Sequence, residues 1–146
     1  MKKLVYSLLI IAALASIVCV EPAGAQSDRL LGVTVPFNFY VKDRALPAGE
    51  YTVALVQVAG ADTLKIQSAD GHLTAFIPSQ AARLRGDQGK AQLVFNQYAD
   101  RYFLAQVTGL EDRMAQQVTR SHSEDEIVRN LSATDHQKVA VAARKR

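Results

Sequence analysis

The chain reads as a mainly β protein, a single antiparallel sandwich or partly closed barrel of about 6–8 strands with a short C-terminal helical segment. Three stretches carry that reading. Val33, Val35, Phe37, Phe39 and Val41 fall at every second position, which on a pleated strand puts them on one face. Leu46-Pro47-Ala48-Gly49 follows as a turn, with φ preset at Pro47 and Gly49 tolerant of positive φ, and alternation resumes at Tyr51 and Val53. Further on, Asp70-Gly71 marks a hairpin turn. Beyond it, the aromatic arms Leu93–Tyr98 and Tyr102–Val107 flank Ala99-Asp100 as a second hairpin.

The N-terminus has the parts of a secretory signal: Lys2 and Lys3, an apolar run from Leu4 to Val20, and Ala23-Gly24-Ala25 before Gln26. Residues 1–25 are therefore expected to be a signal peptide, cleaved after Ala25, leaving a secreted or periplasmic protein with no stable membrane span. The alternative is a retained anchor, since a run of about 17 residues lies at the lower limit for spanning. Cys19, the only cysteine, sits inside that run behind Val18 rather than a small residue, which disfavours lipidation. Cleavage would leave no thiol, hence no disulfide and no Cys-ligated metal. The 17 basic residues less Lys2 and Lys3, against the 14 acidic residues less Glu21, leave a net charge of +2. These charges are scattered, and the one basic cluster is Arg144-Lys145-Arg146, so no nucleic-acid partner is expected.

Along residues 26–120, the expected β-domain, Gln26–Gly32 is a polar lead-in and Val33–Val41 the first strand. Pro36 cannot donate to a ladder, which points to an edge strand or to a position whose N–H faces outward. Thr34, Pro36, Asn38 and Tyr40 on its polar face are the candidate interaction edge. From Tyr51 the apolar phase switches to Val56 and Val58, as in a bulge or a strand buried on both faces. Leu64 and Ile66 belong to a short third strand, and His72–Pro78 is a fourth. Ala81–Leu84 fits a strand or a helical turn, and Gly86–Gly89 is a turn. Glu111–Val118 reads as helix or irregular chain. In residues 121–146, the expected helical segment and basic tail, Ser123 and Glu126 have capping-box spacing. A second helical piece is expected over Asp135–Ala143, with fraying beyond it.

VPFNFYV, LPAGEYTV, LVFNQYADRYFL and the Arg120-Ser121-x-x-Glu124 spacing together resemble a family of small, uncharacterised secreted bacterial proteins. Its members share a VPF-type strand, an LPAG-x-Y turn and an RYFL hairpin arm, and the resemblance spans most of Val33–Glu124. It implies a secreted β-rich fold and no particular activity. Ala99 stands where the family pattern leads one to expect glycine. The L-P-x-G-x-Y-x-V turn and half-strand is also similar to immunoglobulin-like modules of carboxypeptidase-regulatory type.

Candidate chemistry is sparse. His72, His122 and His136 lack metal-ligand spacing, and no G-x-S-x-G or glycine-rich phosphate loop is present. Ser121-His122-Ser123 and Glu124-Asp125-Glu126 are explained by a helix start, whose dipole favours acidic residues. Arg85-Gly86-Asp87 and the sequon Asn130-Leu131-Ser132 are short coincidental patterns. No cofactor, metal or catalytic residue is implied. Phe37, Phe39, Tyr51, Phe76, Phe95, Tyr98, Tyr102 and Phe103 are expected to fill the core; in a wide enough barrel they would line a pocket instead. The expected function is an exported, non-enzymatic domain with a structural or protein-interaction role at the cell envelope. The alternatives are a carrier of a small apolar ligand and an envelope enzyme.

Overall fold

A computed structural model of the chain describes residues 30–84, 90–130 and 136–146. The signal-peptide region, the Arg85-Gly86-Asp87 tripeptide and the last two residues of the sequon lie outside the described residues. The strands are β1 (Leu30–Val35), β2 (Phe39–Val41), β3 (Arg44–Leu46), β4 (Gly49–Val58), β5 (Ala61–Ser68), β6 (Thr74–Arg83), β7 (Gln92–Tyr98), β8 (Arg101–Glu111), β9 (Met114–Val118) and β10 (His136–Lys145). One helix, α1 (His122–Asn130), precedes β10. The order β8-β7-β10-β1-β4-β5-β6-β9 returns to β8 through a β8–β9 ladder, which closes an eight-strand antiparallel barrel. Among the described residues no helix is long and apolar enough to cross a membrane.

Barrels of this strand number have an interior just wide enough for side chains to fill. Here Leu31, Val33 and Val35 from β1 meet Val53, Leu64, Ile66, Ile77, Leu93, Phe95 and Val107, all at most 5% exposed. The first alternating stretch does not run as one strand. β1 ends at Val35, Pro36–Asn38 crosses out of the sheet, and β2 pairs in parallel with β8 at Tyr40 and Phe103. Phe39, Val41 and Leu46 of the β2–β3 hairpin are nevertheless buried in the same core. Phe39 meets Tyr51 and Phe95 edge to face, at centroid distances of 5.3 and 5.4 Å. The sequence alternation therefore reports one continuous buried face, shared between a wall strand and a hairpin that packs into the barrel.

Polar bonds fix the hairpin tip. Lys42 Nζ donates to the Thr119 carbonyl at 2.9 Å, Arg44 Nη1 to the Thr74 carbonyl at 3.0 Å, and Ser123 Oγ to Asp43 at 2.6 Å. At the other end of the hairpin, Tyr51 Oη donates to the Pro47 carbonyl at 2.7 Å. Gly49 is not among the positive-φ glycines, so it opens β4 in ordinary extended geometry rather than serving as the left-handed turn residue expected of it.

Several segments depart from expectation. β4 pairs with β5 without a register shift, so its phase change is not a bulge: Val58 simply faces solvent, 50% exposed, as does Phe76 on β6 at 59%. The sheet's irregularities lie instead on β8, opposite Val94–Phe95 and between Thr108 and Glu111. Ala81 and Ala82 continue β6, and Met114–Val118 is a strand that pairs with both β6 and β8. Of the helical piece expected over Asp135–Ala143, the described part from His136 onward is instead β10, inserted between β7 and β1. Alanine-rich chain favours a helix locally, but Val139, Val141 and Ala143 alternate, and two strand neighbours decide the outcome. The tail is paired as well, with the Arg146 N–H donating to the Leu30 carbonyl at 2.9 Å.

Gly109 marks the tightest backbone approach. Its φ is +92°, and a Cβ built there would lie 2.5 Å from Ala91 Cα. Gly109→Ala would combine a disfavoured backbone conformation with a clash against main chain that cannot swing aside. It is expected to cost at least about 2 kcal/mol, read as a lower urea midpoint with an unchanged slope.

Candidate functional site

The four residues of the expected interaction edge are spread over β1, the segment that leaves it and β2. β1 lies between β10 and β4, but its pairing with β10 covers only Leu31–Val33, so Thr34 is paired on the β4 side alone, and Pro36 lies past the end of β1. Pro36 is tolerated because it stands one residue past the strand, where the ladder has no need of its N–H. Thr34 is exposed and opposite Glu50. Asn38 Oδ1 accepts from the Ala48 N–H at 2.9 Å, closing the crossing segment onto the turn before β4. Tyr40 stacks on Phe103, with centroids 5.0 Å apart.

The unpaired edge belongs to β10. This strand pairs with β7 over His136–Ala142 but with β1 only over Ala143–Lys145. Among the described residues its first seven positions thus have a strand on one side only. The Ala143 N–H donates to the Ala91 carbonyl on the β7 side, and the Arg146 N–H donates to Leu30 on the β1 side. In an antiparallel ladder this direction alternates, so Lys138 and Ala140 turn their main-chain polar groups away from β7. Val139 and Val141 stand opposite Phe95 and Leu93, which are 0% and 1% exposed, yet both valines are only half-buried. Where β1 and β10 part, a groove of about 620 Å³ opens, lined among others by Thr34, Glu50, Ala142, Arg144 and Arg146.

Beside the start of β10 lies a polar cluster that sequence spacing could not disclose. After the irregularity at Val94–Phe95, Asn96 and Tyr98 point outward beneath α1, and the helix turns Glu124 in to meet them. Glu124, 3% exposed, accepts from Asn96 Nδ2 at 2.8 Å and from Tyr98 Oη at 3.1 Å, both at Oε1. Because the Asn96 amide nitrogen is committed to Glu124, its oxygen faces His136, and Nε2 of His136 donates to it at 3.4 Å. The His136 ring also stacks on Tyr98. Tyr98, expected in the barrel core, therefore belongs to this outer layer.

The helix is capped by Ser121 rather than Ser123. Ser121 Oγ accepts from the Glu124 N–H at 3.2 Å, and its carbonyl accepts from the Asp125 N–H at 3.0 Å. Ser121-x-x-Glu124 has capping-box spacing, but the glutamate side chain serves Asn96 and Tyr98 instead of returning to the cap. Ser123 is held by Asp43, and these hydrogen bonds keep the Asp43 carboxyl below its ordinary pKa. His122 pairs with Glu126 at 3.2 Å on the exposed helix face, and His72 is exposed beyond Gly71, so the three histidines stay apart. No group of three or more His, Cys, Asp or Glu residues suited to a metal occurs among the described residues.

No family model, curated protein sequence or solved structure matches this chain.

Two predictions test the cluster. Glu124→Ala would leave the Asn96 amide and Tyr98 hydroxyl buried without an acceptor, an expected loss of about 2–4 kcal/mol. Glu124→Gln, which keeps an acceptor oxygen, should cost clearly less in the same urea titration. Burial, then the Glu124 charge, pushes the Tyr98 phenol up to about 12, whereas in the unfolded chain it titrates near about 10. Between these values the folded chain holds a proton that the unfolded chain has released, so stability falls as pH rises through that window. The fall should be shallower in Tyr98→Phe, measured as urea midpoint against pH.

Proposed function

We propose that this chain is an exported, non-enzymatic β-barrel that acts at the cell envelope by engaging another protein along β10. The observation that carries the reading is the seven-residue stretch His136–Ala142, which has a strand neighbour on one side only among the described residues. Main-chain donors and acceptors on such an edge are satisfied by water or by another extended chain, and natural sheets that leave one open do so where pairing is wanted or is held in check. Export is supported by the residues before Gln26 and by the resemblance to small secreted bacterial proteins.

The rival readings have less support. A carrier needs interior volume, and the core of this barrel is occupied by its own side chains together with the β2–β3 hairpin. An envelope enzyme would need reactive groups within reach of a substrate. The Glu124 side chain is 4% exposed and its hydrogen bonds go to Asn96 and Tyr98, so the cluster joins helix to barrel.

A photo-crosslinking amino acid at Ala140, with Gln57 as an exposed control on β4, tests the reading in the cells that make the protein. The expected result is an exported chain beginning at Gln26 that forms a discrete protein adduct from position 140 and none from position 57. A chain retained in the cytoplasm, or one giving no adduct from position 140, would refute it.

A further inference from the structure

The register states where a partner strand would run. β1 and β10 pair as Leu31 with Lys145, Gly32 with Arg144 and Val33 with Ala143. Continuing in that register, Thr34 would face Ala142, Val35 would face Val141 and Pro36 would face Ala140. The chain turns away at Pro36, and the Phe37 ring stacks on Tyr102 at 3.9 Å and meets Phe95, the cross-strand partner of Val139, edge to face at 5.3 Å. Beyond Val35, no strand among the described residues continues the line of β1 beside β10. The β10 positions from Ala140 back to His136 keep their outward-directed polar groups.

The side chains along this edge define what would fit. Val139 and Val141 offer half-buried apolar contacts on the inner face. On the outer face of the open stretch Lys138 is exposed, whereas Arg144 and Arg146 lie further along, beside Gly32 and Leu30 of β1. The acidic residue lining the adjoining groove is Glu50, across β1. Asp112 approaches Lys145 to 3.8 Å, away from the open stretch. Cross-strand pairs of opposite charge stabilise a sheet and like charges oppose pairing, so Lys138 selects for a carboxylate opposite it.

Resting on the reading of β10 as an interaction edge, we propose that its partner is an extended acidic segment, added as an antiparallel strand along the line of β1. Its inner alternate side chains are apolar and sit beside Val139, while its outer ones are carboxylates at and next to the position facing Lys138. Backbone pairing supplies the affinity and Lys138 supplies the choice of partner.

The probes are two labelled seven-residue peptides, one alternating valine with glutamate and the other valine with lysine, titrated against the full chain by fluorescence anisotropy. The glutamate peptide is expected to bind at least tenfold more tightly, and its affinity to fall as salt is raised. Ala140→Pro removes a donor on the open side, not one used by β7, and should weaken the glutamate peptide at least tenfold. Lys138→Glu, an exposed change, should reverse the preference and provides the test if Ala140→Pro melts early in a circular dichroism scan. Equal affinity for the two peptides, no binding of either, or unchanged binding by both variants would overturn the proposal. So would a concentration-dependent dimer in sedimentation that Ala140→Pro abolishes, because the occupant would then be a second copy of the chain. Adducts from position 140 in cells alongside equal peptide affinities would refute the acidic preference alone. Absence of both would refute the interaction reading as well.

Discussion

The barrel depends on β10. Without it, β7 and β1 would each present an open edge, and the sheet would be a curled ribbon with its apolar interior exposed along one side. The last described strand therefore joins the first, and contacts between the two ends of the described chain complete the wall. Such closure brings together residues more than a hundred positions apart in sequence. Its loop-closure entropy is opposed chiefly by the apolar surface that closure buries.

The polar cluster beneath α1 bears on that same closure. α1 leads toward β10, and Glu124 fastens the helix to Asn96 and Tyr98 on β7, the strand along which β10 then runs. His136, the first residue of β10, joins the cluster through Asn96. The helix dipole accommodates Glu124 and Asp125 in the first turn and Arg129 in the last. The β2–β3 tip reaches the same neighbourhood through Lys42 and Asp43, so helix, hairpin and closing strand are bound into one arrangement.

An exposed strand edge is a hazard, and β10 has features that limit it. Lys138 sits on the open stretch, and charged residues on edges discourage uncontrolled pairing. The stretch is short and ends where β1 takes over at Ala143. A lysine that repels other basic edges while attracting carboxylates reconciles protection with selectivity, because one charge can serve both purposes.

The β character of the chain was written in local pattern. Period-2 alternation in Val33–Val41 and Tyr51–Leu55, the Asp70-Gly71 turn and the aromatic arms around Ala99-Asp100 each reflect rules that act over a few residues. Even Ala99, in place of the glycine expected there, takes the positive φ of 53° that the hairpin requires. What the tertiary structure decided is where those faces go. The alternation of Val33–Val41 is the same whether the strand runs on or breaks at Pro36, because the hairpin buries Phe39 and Val41 in the core that β1 already faces. Thr34, Pro36, Asn38 and Tyr40 are spread over β1, its exit and β2 for that reason: a proline can mark an edge or an exit, and only the neighbours distinguish them. β10 stands where a helical piece is expected, and its strand state comes from partners far away in sequence. Glu124 looked like a dipole residue at a helix start until the fold brought Asn96 and Tyr98 beneath it. Sequence thus determined the inward alternation of Val33–Val41 and of Tyr51 and Val53, but not that Phe76 faces solvent or that Tyr98 joins the outer layer. Pairing between distant strands decided which edge stayed open and which carboxyl became buried, since both depend on contacts that no local pattern encodes.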